Sequence, residues 1–211
     1  MIATGLDRLL EESAQLAGRR FGLLAHGASV SGRLVPAHLA LAAAGAAPAR
    51  LFGPEHGYYG VEQDMVASAP EVDPWTGVEI VSLYGDDEAS LCPRPEAFAG
   101  LDLLLVDLQD IGARYYTYAA TAVWAAAAAL EAGVEVWILD RPNPLGGQAV
   151  EGNLRRDGFE SFVGAFRVPV RHGLTIGELF RLEAARRGLP KSWRIVELVG
   201  WRRDMLWPET G

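Results

Sequence analysis

The run "LDLLLVDLQ" (residues 101–109) constrains the fold most. It has almost no polar alternation, as expected of a strand covered on both faces. Similar short runs recur along the chain: "RFGLLAH", "ARLFG", "VEIVSLYG", "VEVWILD" and "SWRIVELVG". Segments with helical spacing lie among them: "LDRLLEESAQLAG" (residues 6–18), "LVPAHLALAAAGA", "TYAATAVWAAAAALEAG" and "TIGELFRLEAARRG". Strands separated by helices imply a parallel sheet flanked on both sides. The expected fold class is α/β, a Rossmann-like three-layer sandwich with a mainly parallel sheet.

In such sheets ligands bind beyond the carboxyl ends of the strands. The segments that follow the strands here are unusually rich in functional side chains: "HGASV", "GPEHGYYG", "YGDDEAS", "DLQDIGARYYTY" and "DRPNPLGGQAVEG". Loops need Gly, Pro and Asp for their turns. They do not need the His, Glu, Tyr and Arg that recur beside them, so these loops are the candidate site.

Composition narrows the chemistry. The net charge of -8, with a single lysine (Lys191), argues against a nucleic-acid or anionic-membrane surface. Half of the 211 residues are hydrophobic, enough for a sizeable core. No apolar run reaches the roughly 18 residues of a membrane span. The N-terminus has no charged-then-apolar leader, so the expected compartment of the chain as written is the cytoplasm. The one cysteine, Cys92, rules out an internal disulfide and a cysteine zinc cage, and "LCPRP" offers it no base.

Several motifs are missing. There is no G-x-G-x-x-G after the first strand, no phosphate-binding G-x-x-x-x-G-K-[ST] and no G-x-S-x-G elbow. Ser29 beside His26 has the composition of a nucleophile and base, without a supporting motif. His26, His56 and His172 fall in three loops, with Asp64, Asp107 and Asp110 available, but no metal-ligand motif joins them. No metal and no cofactor is expected. His38, among apolar neighbours in a helix, reads as structural.

Carboxylates are the better lead. Glu55 follows a buried strand inside a Pro- and Gly-framed turn, and Glu151 sits beside Gly152. Cleaving a glycosidic bond needs a carboxylic acid to protonate the leaving oxygen, usually with a second carboxylate. Tyr58, Tyr59, Tyr115, Tyr116 and Tyr118 are expected to wall the acid and to stack on a sugar ring. Asp107 and Asp110 read first as caps of the following helix, and Asp140 as a partner of Arg141 or an organiser of its loop.

The motifs "LFGPEHGYYG", "SLYG", "DLQDIGARYYTY", "LDRPNPLGG", "VEG", "SFVG" and "VPVRHGLTIGEL" occur in the same order in the NamZ-type exo-β-N-acetylmuramidases, long described as a domain of unknown function. The chain resembles that family from about Gly22 to its end. The resemblance implies hydrolysis of β-linked N-acetylmuramic acid from the non-reducing end of peptidoglycan fragments, in the cytoplasm or outside it. It implies that Glu55 of "GPEHG", with His56 and with Glu151 of "VEG", is catalytic. Substrate binding falls by the same motifs to Arg114, Tyr115, Tyr116, Asp110, Asn143, Arg171 and His172, and to His26. Many members carry Asn where this chain has His26. The partner expected is a muramyl saccharide. Residues 1–211 are expected to be one Rossmann-like catalytic domain, the family's smaller C-terminal domain being absent or beyond the end of the chain. Two other readings stay open: a non-catalytic muropeptide- or sugar-binding module, and a metal-assisted amidase or esterase on the same scaffold.

Overall fold

The computed structural model describes residues 2–61, 71–83 and 93–210. Cys92, Asp64 and the loop from Tyr84 lie outside the described residues. Among the described residues the central sheet has seven strands: β1 Phe21–Ala25, β2 Arg50–Gly53, β3 Glu71–Val72, β4 Glu79–Ser82, β5 Leu103–Asp107, β6 Glu135–Leu139 and β7 Trp193–Val196. Their spatial order is β3-β4-β2-β1-β5-β6-β7. Every pairing is parallel except that of the two-residue β3 with β4. The sequence reading lacked β3, because "EVDPWTG" carries turn residues and only two residues pair.

Among the described residues four α-helices cover the sheet: α1 Gly5–Glu11, α2 Ala37–Ala43, α3 Tyr118–Glu131 and α4 Ile176–Arg187. Successive strand residues point to opposite faces. Leu23, Leu51, Leu103, Leu105, Trp137 and Leu139 pack with Leu6, Leu9 and Leu41 of α1 and α2. Leu24, Phe52, Leu104, Val106, Val136 and Ile138 pack with α3 and α4 on the other face. The unbroken apolar strands therefore feed two cores, and the three-layer expectation holds.

The helix ends follow local chemistry. Thr4 with Asp7 and Thr175 with Glu178 form capping boxes at α1 and α4, and Gly188 closes α4 in the left-handed conformation. The first helix is shorter than expected. It ends at Glu11, and the chain tightens into a 3₁₀ turn over Ser13–Leu16, with Glu12 N donating to Leu9 O.

Strand order reverses between β1 and β5. The loops after β1, β2, β5 and β6 open on the same edge, at the switch point where such sheets bind ligands.

Candidate active site

The loop after β2 turns back at once. A side chain on Gly53 would lie 2.7 Å from Tyr58 N, so only glycine allows the reversal. Gly57 N bonds to Pro54 O, and His56 and Gly57 take left-handed φ of 70° and 77°. This backbone presents Glu55 to α3. Thr117 Oγ1 donates to Glu55 Oε2 at 2.6 Å, and Tyr118 Oη donates to Glu55 O at 3.2 Å. Thr117 occupies the N-cap position of α3 but makes no capping bond, because its hydroxyl serves Glu55. Sequence reasoning missed Thr117; its place one residue before an apolar helix was the available signal.

Around Glu55 the side chains are packed and neutral. The Tyr118 ring meets Tyr116 and His26, each at 4.7 Å between centroids. Burial raises both phenols above their ordinary values, and the Glu55 carboxylate adds to the effect on each. Burial, then the Arg141 charge, pushes His26 down to about 4. His26 Nε2 accepts from Gln109 N at 3.1 Å, so the neutral ring carries its proton on Nδ1.

A second group surrounds Arg171. Its backbone bridges Ala113 on one side and Glu151 on the other. Its guanidinium donates from Nη1 to Glu151 Oε2 at 2.8 Å and from Nη2 to Leu145 O. Beneath lie buried Asp110 and His172, with His172 Nε2 3.4 Å from Asp110 Oδ2. Gly112 N donates to the same Oδ2 at 2.7 Å, and Leu174 N donates to His172 Nδ1 at 3.2 Å. The two groups are joined through the backbone, since Tyr116 N donates to Ala113 O and Ala113 bridges Arg171.

Several candidates hold the loops together. Asn143 is buried, with Nδ2 donating to Leu174 O and Oδ1 accepting from Leu145 N. A side chain at Gly112, whose φ is 80°, would collide with its amide. Arg114 Nη1 donates to Asn153 O and Val168 O, tying the loops after β5 and β6. Tyr115 is exposed and His56 stands at the surface.

Three readings need correction, and a fourth, for Asp140, holds in its second form. Ser29 is no nucleophile to His26: its buried hydroxyl donates to Asp107 O and accepts from His26 N. Tyr58 is no sugar wall, because it is buried with its hydroxyl 3.0 Å from His38 Nδ1; the Tyr59 hydroxyl is bound to Asp73. Asp107 and Asp110 do not cap α3. Asp107 pairs with Arg141, and Asp110 receives the backbone of its own loop. Asp140 does organise its surroundings, accepting from Arg141 N, Gly177 N and Thr175 Oγ1, but the Arg141 guanidinium goes to Asp107.

Among the described residues no three His, Cys, Asp or Glu side chains gather in a way that could hold a metal. The lone pairs of His26 Nε2 and His172 Nδ1 already accept backbone N–H bonds. A cavity of about 450 Å³ opens beside the site, lined by Asp7, Val30, Gln109, Arg141, Pro142 and Trp207 among others; Glu55 and Glu151 are not among its walls.

Residues 21–211 match the family described as exo-β-N-acetylmuramidase NamZ, N-terminal. The chain belongs to this family. It is 37% identical, over 99% of its length, to the peptidoglycan β-N-acetylmuramidase NamZ of Bacillus subtilis strain 168, of which it covers 50%. Two crystal structures of DUF1343 family proteins from Bacteroides fragilis share its fold. One superposes with a TM-score of 0.88 at 38% identity, covering all of this chain and 53% of that one. The other gives 0.81 at 27% identity, covering 98% and 54%. The chain therefore spans about half the length of these NamZ-family relatives. Among the described residues no helix is long and apolar enough to cross a membrane.

Proposed function

We propose that the chain carries the acid-base machinery of a glycoside hydrolase that releases β-linked N-acetylmuramic acid from the non-reducing end of peptidoglycan fragments. The observation that carries this reading is the Glu55 carboxyl, fixed by Thr117 beneath a wall of Tyr116 and Tyr118. Membership of the NamZ family and the name of the Bacillus relative support it.

In this mechanism Thr117 holds Glu55 Oε2, and Glu55 gives its proton to the glycosidic oxygen. The C1–O bond breaks, the aglycone leaves as an alcohol, and water supplies the hydroxyl of the released sugar while its other proton returns to the Glu55 carboxylate. The cationic sugar needs an electron-rich partner. Glu151, bonded to Arg171 Nη1, is the protein's candidate; the substrate's own 2-acetamido oxygen is the other. Arg171 and Arg114 are the candidates for gripping the lactyl carboxylate that distinguishes muramic acid from glucosamine.

The test is release of N-acetylmuramic acid from an aryl β-N-acetylmuramide, with Glu55→Gln beside the wild type. Turnover that the variant loses supports the reading. Equal turnover by both removes Glu55 from the mechanism. Saturable sugar binding by a folded wild type that never turns over favours the binding module, and loss of turnover to a chelator favours the metal-assisted hydrolase.

A further inference from the structure

The "GPEHGYYG" loop carries two adjacent tyrosines whose hydroxyls point away from Glu55 into a buried polar cluster. Tyr58 Oη lies 3.0 Å from His38 Nδ1 on α2, and Tyr59 Oη donates to Asp73 Oδ1. Asp73 Oδ2 accepts from Thr76 N at 2.6 Å and from Thr76 Oγ1. His38 Nε2 closes the circuit 3.4 Å from Asp73 Oδ1. His38 is 1% exposed, Tyr58 5% and Asp73 0%.

These groups have one consistent arrangement of protons. Asp73 faces His38 Nε2, so that nitrogen carries the hydrogen and Nδ1 accepts from the Tyr58 hydroxyl. Burial, opposed by Asp73, keeps the His38 imidazole below its ordinary pKa, which favours this neutral form.

A buried network of this kind is a poor device for stability alone, since apolar side chains of equal size do as well or better. It is a good device for fixing one geometry. The loop needs such fixing. His56 holds a left-handed φ, a strained conformation for a non-glycine residue, and among the described residues the loop's own backbone bonds are Gly57 N to Pro54 O and Gly60 N to Gly57 O. We infer that His38 and Asp73 are positioning residues that clamp the Glu55 loop through Tyr58 and Tyr59, so that Glu55 stays in register with Thr117. The functional half of this inference rests on the reading of Glu55 as the acid.

Four variants test it: Tyr58→Phe, Asp73→Asn, His38→Leu and His38→Asn. The first readout is amide hydrogen exchange at Gly57 and Gly60, which needs no turnover. Tyr58→Phe removes one oxygen and keeps the ring, so the fold survives it. It should speed exchange at these two amides about tenfold, the worth of one lost hydrogen bond, while β5 and α3 keep their protection. His38→Leu and Asp73→Asn should do the same. His38→Asn, whose side-chain oxygen can accept the Tyr58 hydroxyl, should restore most of the protection lost in His38→Leu. The second readout is turnover of the aryl muramide. There Tyr58→Phe should lower kcat about tenfold with KM within about twofold. Unchanged exchange in Tyr58→Phe, or a rise spread evenly over the sheet, overturns the clamp. If Tyr58→Phe keeps full kcat while Glu55→Gln loses it, the clamp does not serve catalysis. If Glu55→Gln keeps full kcat, the acid assignment fails, and the exchange data still judge the clamp alone.

Discussion

Arg141, just beyond β6, grips Asp107 at the end of the neighbouring β5 with two bonds, Nε to Oδ1 at 2.7 Å and Nη2 to Oδ2 at 2.8 Å. The same Nη2 donates to Val30 O at 3.0 Å. One buried guanidinium thus joins the loops after β1, β5 and β6, the three that frame the site's central edge.

Breaking this pair from one side leaves the other charge buried and alone. Asp107→Asn or Arg141→Met should each destabilise the chain by about 3–5 kcal/mol. The double variant Asp107→Leu/Arg141→Met should recover much of that loss, because it buries neither charge. Urea unfolding of the three chains measures this, and a double variant as unstable as the sum of the singles would contradict it.

The pH dependence of stability should contain two opposed contributions. His26 is held near 4 against an unfolded value of 6.5, so the unfolded chain binds the extra proton between these limits. Its stabilising contribution is complete above about pH 6.5 and is lost as pH falls toward 4. Asp140 is pushed up to about 6, chiefly by burial and against the bonds from Gly177 and Thr175, so here the folded chain binds the extra proton. Its contribution is complete below about pH 3.8 and is lost as pH rises through 6. Each shift is worth about 3 kcal/mol over its window, so the two nearly cancel in the wild type. Unfolding free energies taken from pH 4 to 7 should fall with rising pH in His26→Asn and rise in Asp140→Asn. Two variants with the same slope would show that these groups do not titrate as their surroundings dictate.

Thr117 gives a sharper test of the Glu55 geometry. Thr117→Val keeps the shape and removes the hydroxyl that holds Oε2. One hydrogen bond to a charged or charging group is worth about 1.5–3 kcal/mol, so kcat on the aryl muramide should fall about 10- to 100-fold. Thermal unfolding should move by only a few degrees, since the helix N-terminus never used this side chain as a cap. A large fall in melting temperature with little change in kcat would make Thr117 a structural residue.

The layers were legible because the parallel strands lack polar alternation: "LDLLLVDLQ" and "VEVWILD" announce strands buried on both faces. Glu55 and Glu151 were legible as candidates because their loops carry side chains that turns do not need, and Arg171 through the "VPVRHGLTIGEL" motif. Partnerships were not. Ser29 and His26 are neighbours in sequence, but the hydroxyl reaches Asp107 O on another strand. Tyr58 and Tyr59 resemble a sugar platform until α2 supplies His38 and a distant turn supplies Asp73. Asp140 and Arg141 are adjacent, but the guanidinium goes to Asp107 at the end of the neighbouring strand. Such pairings depend on where loops from different strands meet, which local spacing does not encode.

Arg171 is where specificity for muramic acid should be decided. Its fork holds Glu151 through Nη1 and Leu145 O through Nη2, and its backbone joins two loops of the site. Arg114 differs: its Nη1 is tied to two backbone carbonyls, so it braces the loops. A lysine at 171 keeps a positive charge near Glu151 but cannot form a planar fork. If Arg171 grips the lactyl carboxylate, Arg171→Lys should lower kcat/KM for the aryl muramide by about tenfold more than for the matching aryl N-acetylglucosaminide, which has no lactyl group. If Arg171 only orients Glu151, both substrates should lose equally, because both need the second carboxylate. The ratio of the two losses therefore separates recognition from positioning, and a ratio near one would take the lactyl group away from Arg171.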